Sequence, residues 1–258
     1  MSSLLATLLL GMTANAAPPA TVEPATVKPV TVKPVLVVLT SHGTKGASGK
    51  PTGFYLGELT HPLAVFDAAG IPVEIASIQG GEPPVDGVEL EDVINARYWK
   101  DEQFRNAIRT TLPLADAEPS RYSAIFFAGG HGAMWDFPDS PAVQSVARAI
   151  YEQGGIVAAV CHGPAALVNV TLSNGDHLVK GKKVSAFTDE EERAVQLDGV
   201  VPFLLASRLA ANGALHQPAP NWTAQVVVDE RLVTGQNPQS ATGVGEKVRD
   251  LVLAAAAR

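Results

Sequence analysis

Short, unbroken apolar runs alternate along the chain with segments of helical period. Val35-Leu36-Val37-Val38-Leu39-Thr40 predicts a strand, and Phe54 to Ala69, closed by Gly70, predicts a helix. Val73 to Ile78 and Ala124 to Ala128 predict two more strands, the second ending in Gly129-Gly130-His131-Gly132. A helix over about Pro141 to Gln153 leads into Ile156-Val157-Ala158-Ala159-Val160, a strand that stops at Cys161. Lys183 to Phe187 and Gln225 to Asp229 follow as strands, and Ala241 to Ala256 as a helix. Strands that are apolar throughout, rather than at every second residue, are covered on both faces. Separated by helices, they predict an α/β fold with a mostly parallel sheet sandwiched between helix layers. No linker divides this region, so 35–258 is expected to be one domain, with about 80–119 as a polar insertion or cap.

Upstream of Val35 the pattern changes. Leu4 to Met12 is a short apolar stretch, and Ala14-Asn15-Ala16 has the small-x-small form of a signal-peptidase site, so 1–17 is expected to be a signal peptide. Residues 18–34 repeat a Thr-Val-Lys-Pro/Thr-Val-Glu-Pro theme, a proline density that favours an extended tether. The expected location is periplasmic or secreted after cleavage, or cytoplasmic where the signal is not used. No apolar run reaches membrane-spanning length.

Composition narrows the function class. Of 258 residues, 46% are hydrophobic and 17% charged, which supports a sizeable core and excludes disorder of the whole chain. The net charge is −7 with no basic block, which argues against a nucleic-acid partner. There is one cysteine, so an internal disulfide is impossible, and in an oxidising compartment such a thiol is reactive or forms an intermolecular link.

That cysteine sits where chemistry is commonly mounted. In Val160-Cys161-His162-Gly163-Pro164 a buried strand ends on a thiol, followed by an imidazole, a conformationally free glycine and a proline suited to a helix's first turn. A strand-turn-helix junction presents a nucleophile beside backbone N–H groups and a positive helix end, conditions that depress a cysteine pKa below about 8.5. A buried structural cysteine is the bland alternative. Glu58 shares a helix face with Pro62, Val65 and Ala69, where burial would raise its pKa and suit it to general acid/base work; equally, it could simply favour the helix start. The backbone N–H of His162 can face a developing oxyanion, as can those of the Gly129–Gly132 loop. One of Asp189, Glu190, Glu191 and Glu192 could orient an imidazole, or all could form a solvated helix start after Thr188. No histidine pair shows metal-ligand spacing, so neither a metal nor another cofactor is expected.

Ala-Val-Cys-His-Gly-Pro at 159–164 resembles the nucleophile elbow of the ThiJ/PfpI superfamily, whose fold is akin to class I glutamine amidotransferases and flavodoxin-like proteins. Gly-Phe-Tyr-Leu-Gly-Glu-Leu-Thr-His-Pro at 53–62, Ala-Gly-Gly-His-Gly at 128–132 with Asp136-Phe137-Pro138, Phe187-Thr188-Asp189 and Leu-Val-Thr-Gly-Gln-Asn-Pro at 232–238 are similar to the heat-shock-chaperone and glutathione-independent glyoxalase subgroup. The resemblance implies Cys161 as nucleophile, His162 beside it, Glu58 as the acid of the first helix, and Glu192 as the third member, with Glu190 and Glu191 as neighbouring alternatives. It implies an oxyanion site from the amides of Gly130 and His162, with His131 alongside, and possible homodimers.

The activity so implied is cofactor-free conversion of methylglyoxal and related 2-oxoaldehydes to D-lactate or the matching 2-hydroxy acid. Two alternatives stand beside it. One is a holdase chaperone, and the other a peptidase or an amidase-like or isonitrile-hydratase-like hydrolase using the same thiol. Glutaminase activity is disfavoured, because the His-x-Glu arrangement downstream of the cysteine is absent and His216 has no such partner.

Overall fold

The computed structural model describes residues 32–257. The expected signal peptide at 1–17 and all but the last three residues of the 18–34 tether lie outside the described residues. In chain order the elements are β1 (Val35–Leu39), β2 (Phe54–Tyr55), α1 (Leu56–Ala68), β3 (Val73–Ser77), β4 (Val85–Asp86), α2 (Val93–Lys100), α3 (Glu102–Arg109), β5 (Leu112–Pro113), β6 (Ala124–Phe127), α4 (Ala133–Asp136), α5 (Pro141–Glu152), β7 (Ile156–Val160), β8 (Lys183–Val184), α6 (Asp189–Ala194), α7 (Leu205–Ala211), β9 (Leu215–His216), β10 (Val226–Asp229), β11 (Leu232–Gly235) and α8 (Ala241–Ala256).

Seven strands form the main sheet in the order β10-β11-β7-β6-β1-β3-β5. Its pairs are parallel except β10–β11, so the α/β class with a mostly parallel sheet is the observed one. Side chains alternate between the faces of a strand, and here both faces are apolar. Leu36, Val38, Ile125, Phe127, Val157 and Ala159 enter the core under α4 and α5. Val35, Val37, Leu39, Ala124, Phe126, Ile156, Ala158 and Val160 enter the core under α1 and α8. The unbroken apolar runs are thus two alternating patterns laid over each other.

The α1–α8 pair carries the site's scaffold. Pro62 inside α1 has no N–H to give the carbonyl four residues back, that of Glu58. Against this proline lies Gly245 of α8, where a Cβ would come 2.9 Å from Pro62 Cα. Close approach of the two backbones requires glycine here. His61 adds polar ties, with Nε2 3.1 Å from Asp92 Oδ2 at the start of α2 and Nδ1 3.1 Å from Thr242 Oγ1 in α8.

Several sequence expectations need correction in extent. The first helix begins at Leu56, not Phe54. The N–H groups of Phe54 and Tyr55 are drawn sideways to Pro84 O and Gly129 O at 2.9 and 3.1 Å, which holds both residues extended. The strand expected over Lys183 to Phe187 is regular only at Lys183–Val184. Beyond it, Ser185 N donates to the Thr234 hydroxyl at 2.8 Å and Phe187 N to Cys161 O at 3.0 Å, so the chain stays extended without a ladder. The turn after Cys161 enters a 3-10 helix, Gly163–Leu167, rather than an α-helix. Residues 80–119 contribute two helices and the edge strand β5, and β4 pairs with β2 beside the site.

Gly245→Val should force α8 off α1 at an overpacking cost of about 1–3 kcal/mol. A lower denaturant midpoint at unchanged slope is the expected result.

Candidate active site

Cys161 lies directly after β7 with φ 60°, a left-handed conformation that a side chain with a Cβ adopts only under constraint. Strict alternation would send it to the α5 side with Ala159. Instead it joins the same core as Val160, on the α1 side. Hydrogen bonds on both flanks hold the bend: Cys161 N donates to Gly235 O at 2.9 Å, and Cys161 O accepts from Phe187 N.

Glu58, in the first turn of α1, is fully buried. Its Oε2 accepts from Gly129 N–H at 2.9 Å, and its carboxyl group lies beside the Cys161 thiol, near enough to act on its pKa. Oε1 has no hydrogen-bond partner among the described residues. Burial raises the Glu58 pKa to about 8, against the pull of the Cys161 thiol and the Gly129 hydrogen bond. A buried, unpartnered carboxylate oxygen is costly, whereas a protonated one can donate to the sulfur beside it. Burial likewise pushes the Cys161 thiol well above its ordinary range, reinforced by the Glu58 charge and opposed by the His162 amide. This reverses the depressed pKa expected from sequence, since a buried acid replaces the long helix N-terminus. Both groups are thus driven toward their protonated forms.

On the other side of the sulfur is His162, with Nδ1 3.3 Å from Sγ. Its Nε2 is 2.8 Å from Glu192 Oε2, and His131 Nε2 is 2.9 Å from Glu192 Oε1. Burial, then His131, lower the His162 pKa to about 4 despite Glu192, so the ring is neutral at pH 7. The carboxylate can only accept, so Nε2 carries the proton and Nδ1 offers a lone pair to the thiol. Burial opposes ionisation of Glu192, but the hydrogen bonds from His131 and His162 prevail and hold its pKa at about 2.

The three neighbouring glutamates separate cleanly. Glu190 points outward to Arg193, and Glu191 closes a capping box with Thr188. Glu192 alone of the three reaches the imidazoles. His131, His162 and Glu192 are also the cluster whose donor atoms, all within 4.8 Å, could hold a metal ion. No local spacing betrays it, because the three come from separate strand ends. Gly130 takes φ 97°, and a Cβ there would lie 2.4 Å from Gly53 O, so the loop can press against the residues before α1 only as glycine. Among the described residues the Gly130 amide has no protein acceptor.

These groups open into a cavity of about 560 Å³. Phe187, Val195, Leu197, Trp222 and Pro238 are its apolar lining, while Tyr55, Glu89 and the pairs Lys45–Asp86 at 3.3 Å and His61–Asp92 at 3.1 Å are polar lining. Tyr55, Phe187 and Pro238 fall in motifs read from the sequence; Asp86, Glu89, Asp92, Val195, Leu197 and Trp222 were missed, because their approach to Cys161 has no periodic signal.

With that geometry in view, the family model for the DJ-1/PfpI family matches residues 51–250. The chain belongs to this family. Glyoxalase 3 of Candida albicans is 34% identical over 225 residues, covering 83% of this chain and 95% of that protein. The crystal structure of glyoxalase III from the same organism superposes with a TM-score of 0.78 at 32% identity, over 84% of this chain and 95% of that one. Rapid Encystment Protein 24 KDa of Francisella tularensis gives a TM-score of 0.83 at 40% identity, over 85% of this chain and 99% of that one. Within this DJ-1/PfpI chain, the elbow, the Gly129–Gly132 loop and α6 converge at the carboxyl ends of β6 and β7, where α/β sheets bind ligands.

The buried acid has a measurable signature. Glu58 rises from about 4.5 to about 8 on folding, so the stability tied to its protonated form is full below pH 4.5 and lost as pH climbs to 8. His162, lowered from 6.5 to about 4, adds stability as pH rises over 4–6.5 and offsets the loss there. The net fall should therefore appear between pH 6.5 and 8, and Glu58→Gln should abolish it in denaturant titrations across that range.

Proposed function

We propose that this protein is a cofactor-independent glyoxalase that converts methylglyoxal and related 2-oxoaldehydes, with water, to D-lactate or the matching 2-hydroxy acid. The observation that carries this is the thiol held between two proton carriers, the Glu58 carboxyl and His162 Nδ1 at 3.3 Å. Such a pair is what an intramolecular hydride-free redox exchange between adjacent carbons requires, since only protons have to be moved. The curated relatives support the same assignment, being named glyoxalase 3 and glutathione-independent glyoxalases.

In this mechanism the Cys161 sulfur attacks the aldehyde carbon, and its proton leaves through the neutral His162 Nδ1 at 3.3 Å. The oxyanion of the hemithioacetal is received by the amides of Gly130 and His162. A proton taken from the former aldehyde carbon and returned to the neighbouring carbonyl carbon passes through an enediol to a 2-hydroxyacyl thioester. Glu192, bonded to both His131 and His162, keeps the His162 ring in the tautomer that serves this transfer. Water then cleaves the thioester, restoring the thiol and releasing the hydroxy acid. The atoms of aldehyde and water account for the product, so no external oxidant or reductant enters.

Export remains part of the proposal, resting on the apolar Leu4–Met12 stretch and Ala14-Asn15-Ala16.

D-lactate formation from methylglyoxal, measured without glutathione, should be lost on Cys161→Ala while the thermal transition persists. Turnover retained by that variant would refute the mechanism. Glu58→Gln should lower turnover by about 10²–10⁴-fold, the range typical of a general acid/base, yet leave Cys161 open to alkylation by iodoacetamide.

A further inference from the structure

Trp222 stands at the mouth of the cavity in a conformation it does not choose unaided. Its φ is 61°, and its side chain is partly exposed while lining the cavity. Inward of it runs a row of rings. Its indole lies 5.8 Å from Phe187, and Phe187 lies 4.3 Å from His162, the neighbour of the reactive sulfur. This row of rings leads from the neighbour of Cys161 to the partly exposed Trp222, and Val195 and Leu197 add to the apolar lining. A volume of about 560 Å³ lies in the range that suits ligands larger than a three-carbon aldehyde.

What fixes Trp222 is a buried carboxylate that the catalytic scheme leaves unused. Glu191 is fully buried and has no cationic partner among the described residues. Its Oε1 accepts from Trp222 N at 2.9 Å, Asn237 Nδ2 at 2.9 Å and Gln236 Nε2 at 3.1 Å. Its Oε2 accepts from Thr188 N at 3.0 Å and the Thr188 hydroxyl at 3.2 Å. Asn237 and Gln236 in turn clamp the Trp222 loop, through Thr223 O at 2.9 Å and the Ala219 amide at 2.7 Å. All five partners of Glu191 are donors, so both of its oxygens must accept, and an amide in its place would set N–H against N–H.

We propose that Trp222 is a specificity-determining residue that seats an apolar substituent on the 2-oxoaldehyde, and that Glu191 is the residue that positions it. This rests on the glyoxalase assignment and names the substrate class that the site favours: 2-oxoaldehydes with an apolar or aryl substituent.

The test compares phenylglyoxal with methylglyoxal on the full-length protein and reads the ratio of their kcat/KM values. Trp222→Ala should lower that ratio about tenfold, chiefly through KM for phenylglyoxal, and Trp222→Phe should restore most of it. Glu191→Gln should lower it severalfold, and adding it to Trp222→Ala should change the ratio no further, since the two act as one unit. Glu191→Asp substitutes if Glu191→Gln does not fold. An unchanged ratio in Trp222→Ala overturns the role of Trp222, and additive losses in the double variant overturn that of Glu191. If neither aldehyde is turned over, the same ratio is read from their protection of Cys161 against iodoacetamide. That outcome would refute the glyoxalase assignment and still decide this one.

Discussion

The left-handed backbone of Cys161 is the constraint on which the site depends. A strand continuing in register would have buried the sulfur under α5, away from both carboxylates. One residue at φ 60° redirects it to the α1 side, where Glu58 waits. Such a bend costs about 1–3 kcal/mol and persists because neighbours over-determine it. Here the neighbours are β11, through Gly235 O, and the segment before α6, through Phe187 N. The same two hydrogen bonds therefore shape the nucleophile and bring α6, with Glu192, to its place.

Around this bend, charge is arranged by burial more than by proximity. Glu58 and Cys161 are both driven toward their protonated forms, and His162 toward its neutral one, all by exclusion of water. Glu192 is the exception, kept ionised by two imidazoles that donate to its two oxygens. The resting site is consequently almost uncharged on the Glu58 side of the sulfur and anionic beyond the histidines. A developing oxyanion near Gly130 and His162 meets amide donors rather than competing negative charge.

Much of this was legible in the residues, and the parts that were not share a cause. Apolar runs such as 35–39 and 156–160 announced a sheet covered on both faces, because burial on both sides leaves no polar position. The abrupt Val-Cys-His-Gly-Pro announced the bend. The direction in which the sulfur turns, by contrast, is set by hydrogen bonds from Gly235 and Phe187, distant in sequence. Choosing Glu192 over Glu190 and Glu191 took the resemblance to known relatives; the helical geometry of α6, which aims the three side chains apart, shows why. Trp222 and Glu89 belong to irregular segments and Asp86 to a two-residue strand, where periodicity carries no information about what faces what. The thiol's raised pKa was misjudged for a similar reason: it follows first from burial of Cys161 and then from Glu58, neither of which the local sequence around the cysteine shows.

The contact between Pro62 and Gly245 ties the seat of Glu58 to a helix far downstream. During synthesis α1 and the Cys161 elbow leave the ribosome before α8 does. Until α8 docks, α1 lacks one of its packing partners, and the core that holds the sulfur lacks Val244 and Val248. The interval between translation of these two helices is thus one in which the nascent chain carries the Cys161 elbow without the helix that completes its core.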